Sequence, residues 1–259
     1  MARVLSRTVL TSGILNIAVG PDDTPFDVHI ELICDCSPFF DNLLKHRFTE
    51  PQEKILPLPD VDPDIFTEFL NWAYRGQIFE GMLSPKWIDL CRLWVLADKL
   101  GARELQNLVV IQCGNKYIRF GNFVDKEAVE FVYNRTPVDS PLRRMVVDTW
   151  VLKSNPEVFA AVKGEMKAEF WEDCCLALMK NAAISGERRT LQSTADFKKL
   201  YSVVESLRNV WGERSHVPDD TPRPATQEQM DNRKLRSPRP RSSRASSEMR
   251  NSSGSPSNT

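Results

Sequence analysis

Five times along this chain, a Ser, Asp or Asn residue is followed directly by Pro and then by apolar residues at helical spacing. A small polar side chain accepts hydrogen bonds from the free amide groups at the start of a helix, and Pro suits the first helical position because the amide hydrogen it lacks has no partner there. The five starts are Ser37–Pro38, Asp62–Pro63, Ser84–Pro85, Ser140–Pro141 and Asn155–Pro156. This recurrence predicts a chain built mostly from helices.

Strand patterns occur near the beginning of the chain. Ile14–Val19 places apolar residues at every second position, and Phe26–Leu32 does so again after a loop rich in turn formers. A period of two is typical of half-buried strands, so these segments predict a hairpin. A third short strand is predicted at Lys54–Leu58, where Pro57 favours the edge of a sheet. The strands and the helix starts together indicate an α+β fold, a small β-sheet flanked by helical hairpins.

Helical patterns then continue from Glu104 to Trp211. Beyond Gly212 the chain is rich in Pro, Ser and Arg and has few aliphatic residues, which predicts disorder because too little apolar surface is available to offset the entropy of ordering. We therefore divide the chain into four parts. These are an N-terminal segment at 1–12, an α+β domain at 13–110, an all-α extension at 111–211 and a disordered basic tail at 212–259.

Three stretches of the α+β domain resemble one family in residue order. A Val-His pair precedes a Ser-Pro-Phe-Phe turn, a Leu-Pro-Asp-Val-Asp-Pro run precedes a helix, and a Val-Leu-Ala-Asp-Lys-Leu-Gly run follows later. The residues concerned are Phe26, Val28, His29, Leu32, Ser37, Pro38, Phe39, Phe40, Leu58, Asp60, Val61, Asp62, Pro63, Phe66, Leu70, Tyr74, Gly76, Leu93, Val95, Leu96, Ala97, Asp98, Lys99, Leu100, Gly101, Leu105 and Gln106. In this order and spacing they resemble the BTB/POZ domain over Gly13–Val110, and the whole chain looks most like the short BTB proteins of filamentous fungi.

The resemblance implies that the helices after Val110 are a BACK-like region, which often follows a BTB domain. Two departures from the family pattern stand out. Ser12 and Gly13 occupy the position where many members have an Asp before the first strand. The segment at 1–12 also leaves little room for the extra N-terminal helix that members exchange in swapped dimers.

The resemblance also implies a contact site for cullin-3. Members that bind this scaffold carry an apolar residue, any residue and then Glu after the first helix, and Phe48, Thr49 and Glu50 match that pattern. An aromatic anchor can fill a pocket on a partner while a neighbouring carboxylate sets the register. The alternative is that Phe48 covers the local core and Glu50 is simply solvated.

Ile78 and Phe79 form a second candidate partner contact, because they follow the predicted helix stop at Gly76, where burial is not guaranteed. The alternative is that they cap the core below. His29 lies opposite the apolar side of its strand, and the resemblance implies that it is a structural hydrogen-bonding residue rather than a ligand.

No catalytic, cofactor-binding or metal-binding site is predicted. The pairs Cys34–Cys36 and Cys174–Cys175 lack the two-residue spacer typical of zinc sites, and we interpret them as small apolar filler, with Cys34 and Cys36 on one strand face. The sequence contains no phosphate-cradling glycine loop, nucleophile elbow or His-Glu zinc motif. We expect a protein that is not an enzyme.

The compartment is also predicted from the sequence. No apolar run reaches the roughly 18 residues needed to cross a bilayer, and Met1–Thr11 lacks the apolar core of a secretory signal. The six cysteines lie inside apolar patterns, which predicts reduced thiols. We expect an intracellular protein of the nucleus or cytoplasm that does not enter a membrane.

The net charge is only −1, but positive charge gathers in the tail. The basic cluster comprises Arg233, Lys234, Arg236, Arg239, Arg241 and Arg244. Such a cluster is typical of the signals that nuclear import receptors bind. The alternative is that it only keeps the tail solvated. Ser237 and Ser242 are candidate phosphorylation sites, where a phosphate would offset nearby positive charge. We expect no nucleic-acid binding, because no aromatic residue is interleaved to stack on bases.

Two functions fit these observations. The first is a protein–protein interaction module that serves as a substrate adaptor for a cullin-3-type ubiquitin ligase, with cullin-3 and a substrate as partners. The second is a self-associating scaffold, nuclear or transcription-associated, with a homodimer as its core. A Skp-type or elongin-C-like adaptor is a third option, which the long helical extension disfavours. The sequence does not identify the substrate.

Overall fold

A three-stranded sheet lies at the start of the fold. The computed structural model describes residues 5–47, 55–121, 123–162, 164–183 and 191–203. Strand β1 (Ile14–Val19) pairs antiparallel with β2 (Thr24–His29) and parallel with β3 (Ile55–Leu58), which gives the order β2-β1-β3. The predicted hairpin and the edge position of the strand that contains Pro57 are thus confirmed. A short helix, α1 (Arg7–Thr11), precedes β1 inside the predicted N-terminal segment.

The second strand ends three residues earlier than predicted. Its pairing with β1 stops at His29, opposite Ile14, and the amide of Ile30 donates to the carbonyl of Gly13. Beyond that point β2 pairs no further with β1, and the chain forms helix α2 (Ile30–Cys36). The alternation through Leu32 therefore indicated a strand wrongly. Its apolar residues are buried at helical spacing instead, namely Leu32, Ile33 and Cys36.

Three long helices complete the first half of the structure. They follow helix α3 (Pro38–Arg47) and are α4 (Pro63–Arg75), α5 (Trp87–Lys99) and α6 (Arg103–Phe120). Helix α5 buries eight of its residues, which confirms the prediction that it is central. Helix α4 closes at Gly76, whose φ of 72° is a left-handed conformation that glycine adopts readily.

Four of the five predicted helix starts are capped as expected. The side chains of Ser37, Asp62, Ser140 and Asn155 each accept a hydrogen bond from an amide in the first turn that follows. The start at Ser84–Pro85 is wrong, because α5 begins only at Trp87. The Ser84 hydroxyl accepts a hydrogen bond from Lys116 Nζ of α6 at 2.7 Å. Ser84 is therefore bonded to α6 and does not cap the start of α5.

Within the described residues, five further helices pack onto this first half. They are α7 (Lys126–Arg135), α8 (Pro141–Lys153), α9 (Pro156–Val162), α10 (Ala168–Ala183) and α11 (Thr194–Tyr201). Helix α7 packs on α5, α11 lies against both α6 and α8, and α10 packs on α8. One hydrophobic core therefore runs from β1 to α11. The predicted boundary between 110 and 111 falls inside α6, so this helix serves both parts of the chain.

Candidate protein-interaction surface

The predicted cullin contact, Phe48, Thr49 and Glu50, lies outside the described residues, as does the basic cluster of the tail with Ser237 and Ser242. The described chain reaches the end of α3 at Arg47 and resumes at Ile55, the first residue of edge strand β3. The start of α3 is firmly anchored. Buried Ser37 donates its hydroxyl to the carbonyl of Leu100 at 2.6 Å, and this bond joins α3 to the end of α5.

His29 performs the structural role expected of it. The Tyr74 hydroxyl lies 2.8 Å from His29 Nδ1 and accepts from the His29 amide at 3.2 Å. If the same hydroxyl donates its hydrogen to Nδ1, all three groups are satisfied. The two rings also meet edge to face, with centroids 5.9 Å apart. His29 therefore ties the end of β2 to α4.

Ile78 and Phe79 do not form the exposed contact that we considered first. Both side chains are buried, in agreement with the alternative that they cap the core. The amide of Phe79 donates to Glu68 Oε2 at 2.6 Å, which holds the segment against α4. Phe79 also has a φ of 50°, a left-handed conformation that bulky residues rarely adopt. A buried apolar pair next to a helix stop is hard to recognise from sequence, because its burial depends on α4, a neighbour in space.

The exposed apolar residues of this loop come three to five positions later. Met82 is 60% exposed and Leu83 82%, and Phe120 at the end of α6 is 43% exposed. Together with Lys116 and Arg119 they line a groove of about 120 Å³, whose buried side is formed by Ile78 and Phe79. We call this feature the loop–α6 groove. The sequence signal for this groove is the apolar pair Met82–Leu83, which lies between the turn-forming residues Gly81 and Ser84.

Arg143 is a buried cation that sequence reasoning missed. Its guanidinium donates to Glu169 Oε1 at 2.6 Å, to the carbonyls of Tyr133 and Thr136 at 2.9 and 2.7 Å, and to Thr136 Oγ1 at 3.2 Å. It therefore joins the end of α7 to α8 and α10. Burial, with a hydrogen bond to Asp173, raises the pKa of the neighbouring Tyr133 hydroxyl well above its usual value. No regular sequence pattern distinguishes Arg143 from an exposed helical Arg.

A comparison with known protein families identifies the domain in the first half of the chain. The model of the BTB/POZ domain matches residues 15–116. The chain contains a BTB/POZ domain. The match spans all three strands and α2 to α5, and it ends within α6. A search of curated proteins finds no match.

Solved BTB domains are similar to this chain at low sequence identity. The BTB domain of zebrafish PATZ1 is 19% identical, with a TM-score of 0.29, over 38% of this chain and 70% of that one. The BTB domain of human gigaxonin is 15% identical, with a TM-score of 0.31, over 42% of this chain and 94% of that one.

BTB domains mediate contacts between proteins, so this chain carries a protein-interaction module. The remaining α6 residues and α7 to α11 are additional to the matched domain, and they share its core. Within the part of the chain that the structure describes, no helix is long and apolar enough to cross a membrane.

Four of the thiols are buried, those of Cys36, Cys91, Cys113 and Cys174, whereas Cys34 is partly buried and Cys175 is exposed. Burial raises the pKa of Cys113 and that of Cys174 to about 12, so both remain protonated at neutral pH. Cys34 and Cys36 do not share a strand face as predicted, because they lie on helix α2. No group of three or more His, Cys, Asp and Glu residues could hold a metal ion within the described ranges.

Proposed function

We propose that this protein is a non-enzymatic, intracellular substrate adaptor for a cullin-3-type ubiquitin ligase. Its BTB domain would bind the scaffold, and the helices that follow would hold the substrate. The observation that carries this proposal is that a BTB domain and a helical extension share one core through α5 and α6. A substrate on such an extension would be held at a fixed distance from the scaffold, which raises its effective concentration at the site of transfer.

The residues proposed to contact the scaffold are Phe48 and Glu50. Their order after α3 matches the pattern that the family resemblance implies for cullin-3 binding. In this arrangement Phe48 is the buried anchor and Glu50 sets the register.

The test measures binding of the purified full-length protein to the N-terminal region of cullin-3 by calorimetry. We expect the wild type to bind and the double variant Phe48→Ala, Glu50→Arg to lose at least about 30-fold in affinity, since an anchor and a charge are both removed. Glu157→Arg, at an exposed position of α9, is the matched charge-reversal control and should bind as the wild type does. Absence of binding by the intact wild type would exclude the adaptor function.

A self-associating scaffold is the second candidate, and the open face of the sheet favours it. Ile55 on β3 is 65% exposed, and Ile14 on β1 is exposed on the same face. Between them, the outward Asn16 side chain is hydrogen-bonded to Asp27. Exposed apolar residues on a sheet face commonly mark a protein contact. In this version, the basic cluster of the tail would direct the protein to the nucleus.

A further inference from the structure

We infer that the loop–α6 groove is a second docking site, which binds a short acidic and apolar segment of a partner protein. This inference is independent of the cullin proposal, because the groove is built from the loop after α4 and the end of α6 rather than from the segment after α3. Three features of the groove support it. Its loop is held in place by hydrogen bonds and an ion pair, apolar side chains are exposed along it, and its charged residues are all cations.

The loop that carries Met82 and Leu83 is held in place at several points. The Glu68 carboxylate accepts from the amide of Phe79, and Arg75 forms an ion pair with Glu80. The amide of Met82 then donates to the carbonyl of Phe79 at 3.1 Å and closes a tight turn. A loop fixed in this way loses little entropy when a partner binds, so its exposed side chains are preorganised for contact.

The left-handed backbone conformation of Phe79 also supports a fixed loop. A bulky aromatic residue rarely adopts positive φ, and it does so here because burial of its ring and the Glu68 hydrogen bond hold it. Three and four residues after this position, Met82 and Leu83 are exposed, and they line the same groove as Phe120. These three side chains offer an apolar surface for a partner to cover.

All charged residues that line the groove are cations. Lys116 and Arg119 come from α6, and no carboxylate lines the groove within the described residues. Lys116 is held in position, because its Nζ donates to Ser84 Oγ and lies 5.4 Å from the centre of the Trp87 ring and 6.0 Å from that of Phe120. A cation fixed beside apolar surface pairs well with a carboxylate whose neighbours are also apolar.

The size and charge of the groove identify its occupant. At about 120 Å³ it accepts one or two apolar side chains and is smaller than a typical small-molecule pocket. The basic cluster of the tail, from Arg233 to Arg244, would be repelled by Lys116 and Arg119. A second copy docked by the same face would oppose cations to cations across a two-fold axis. A partner segment with Leu, Met or Phe flanked by Asp or Glu fits both properties.

The experiment is a selection from a phage-displayed library of random peptides on the immobilised full-length protein. Binders are counter-selected on the variants Leu83→Asp and Lys116→Glu, after circular dichroism has shown that both are folded. We expect the peptides that survive to combine apolar residues with Asp or Glu. Peptides without acidic residues, or none that distinguish the wild type from the variants, would overturn the inference.

A selected peptide is then synthesised with a fluorescent label, and its binding is followed by anisotropy. We expect a loss of about tenfold or more in affinity for Leu83→Asp, and weaker binding to the wild type at high salt. Leu178→Asp, at an exposed position of α10, is the matched control and should bind normally. If Leu83→Asp instead abolishes self-association seen by light scattering, the groove binds a second copy and the inference is wrong. Cullin binding should be unchanged in Leu83→Asp, so the two proposals fail separately.

Discussion

Single residues secure the junctions between the helices, and Arg143 is the clearest example. Its guanidinium donates to two carbonyls at the end of α7, where the last turn of a helix leaves such groups without partners. Glu169, about half exposed, compensates its charge. Arg143 is itself 5% exposed, so it lies where an unpaired charge would be costly. The cation is therefore a structural connector of three helices.

At this scale we expect Arg143→Ala to lower the free energy of unfolding by about 2–4 kcal/mol, because two buried carbonyls lose their donor and the aliphatic stem leaves a gap. Urea titration followed by circular dichroism measures the change. Arg144→Ala, on the exposed side of the same helix, is the control and should change stability by no more than about 0.5 kcal/mol. Equal effects of the two substitutions would show that the Arg143 bonds contribute nothing.

At the scale of elements, α6 and α11 pack closely against each other. Gly114 of α6 faces Phe197 of α11, and a Cβ at Gly114 would lie 2.9 Å from Phe197 Cγ. Phe197 is fully buried and also contacts the rings of Tyr117 and Tyr201, so it has little room to move. The lack of a side chain at Gly114 is what lets α11 approach α6 this closely.

We therefore expect Gly114→Ala to destabilise the protein by about 1–3 kcal/mol through overpacking, although Ala alone favours a helix by about 1 kcal/mol. The substitution should cost less in a Phe197→Leu background, where the smaller side chain relieves the clash. A double-mutant cycle from urea titrations measures this coupling. A more stable Gly114→Ala variant would show that α11 shifts at no cost.

At the scale of the whole molecule, the BTB domain and the extension behave as one folded body. Helix α6 packs against α5 of the first half and against α11 of the extension, where Tyr117 contacts Phe197. The open sheet face and the loop–α6 groove are among the surfaces of this body that carry exposed apolar residues. Whether the molecule works as an adaptor or as a scaffold depends on whether it binds a cullin or another copy of itself.

For the scaffold function we expect a concentration-dependent dimer that Ile55→Asp dissociates, because a carboxylate would be buried at the centre of the sheet contact. Light scattering across micromolar concentrations measures the mass. Val138→Asp is the control, since Val138 is as exposed as Ile55 but lies before α8. A monomer at all concentrations would exclude the scaffold and leave the adaptor as the remaining proposal.

Much of the fold could be predicted because it rests on local physics. The alternation in Ile14–Val19, the Asp62–Pro63 start and the stop at Gly76 each depend on backbone geometry within a few residues, and each is confirmed. The predictions from sequence were wrong where one local pattern fitted two different secondary structures. Ile30–Cys36 satisfies a period of two at its start and helical spacing overall, and the helix forms because pairing stops where β2 reaches Ile14, the first residue of β1.

The sequence by itself determined the α+β class and the family resemblance, and it drew attention to the segment after Gly76 as a second candidate contact, because apolar periodicity, caps and turn residues act over short distances. The tertiary structure decided which side chains of that contact are exposed. Ile78 and Phe79 are buried by α4, whereas Met82 and Leu83 face solvent beside Lys116 and Phe120. Burial depends on neighbours that are distant along the chain, so the identity of the groove and the role of Arg143 appear only once the helices are packed.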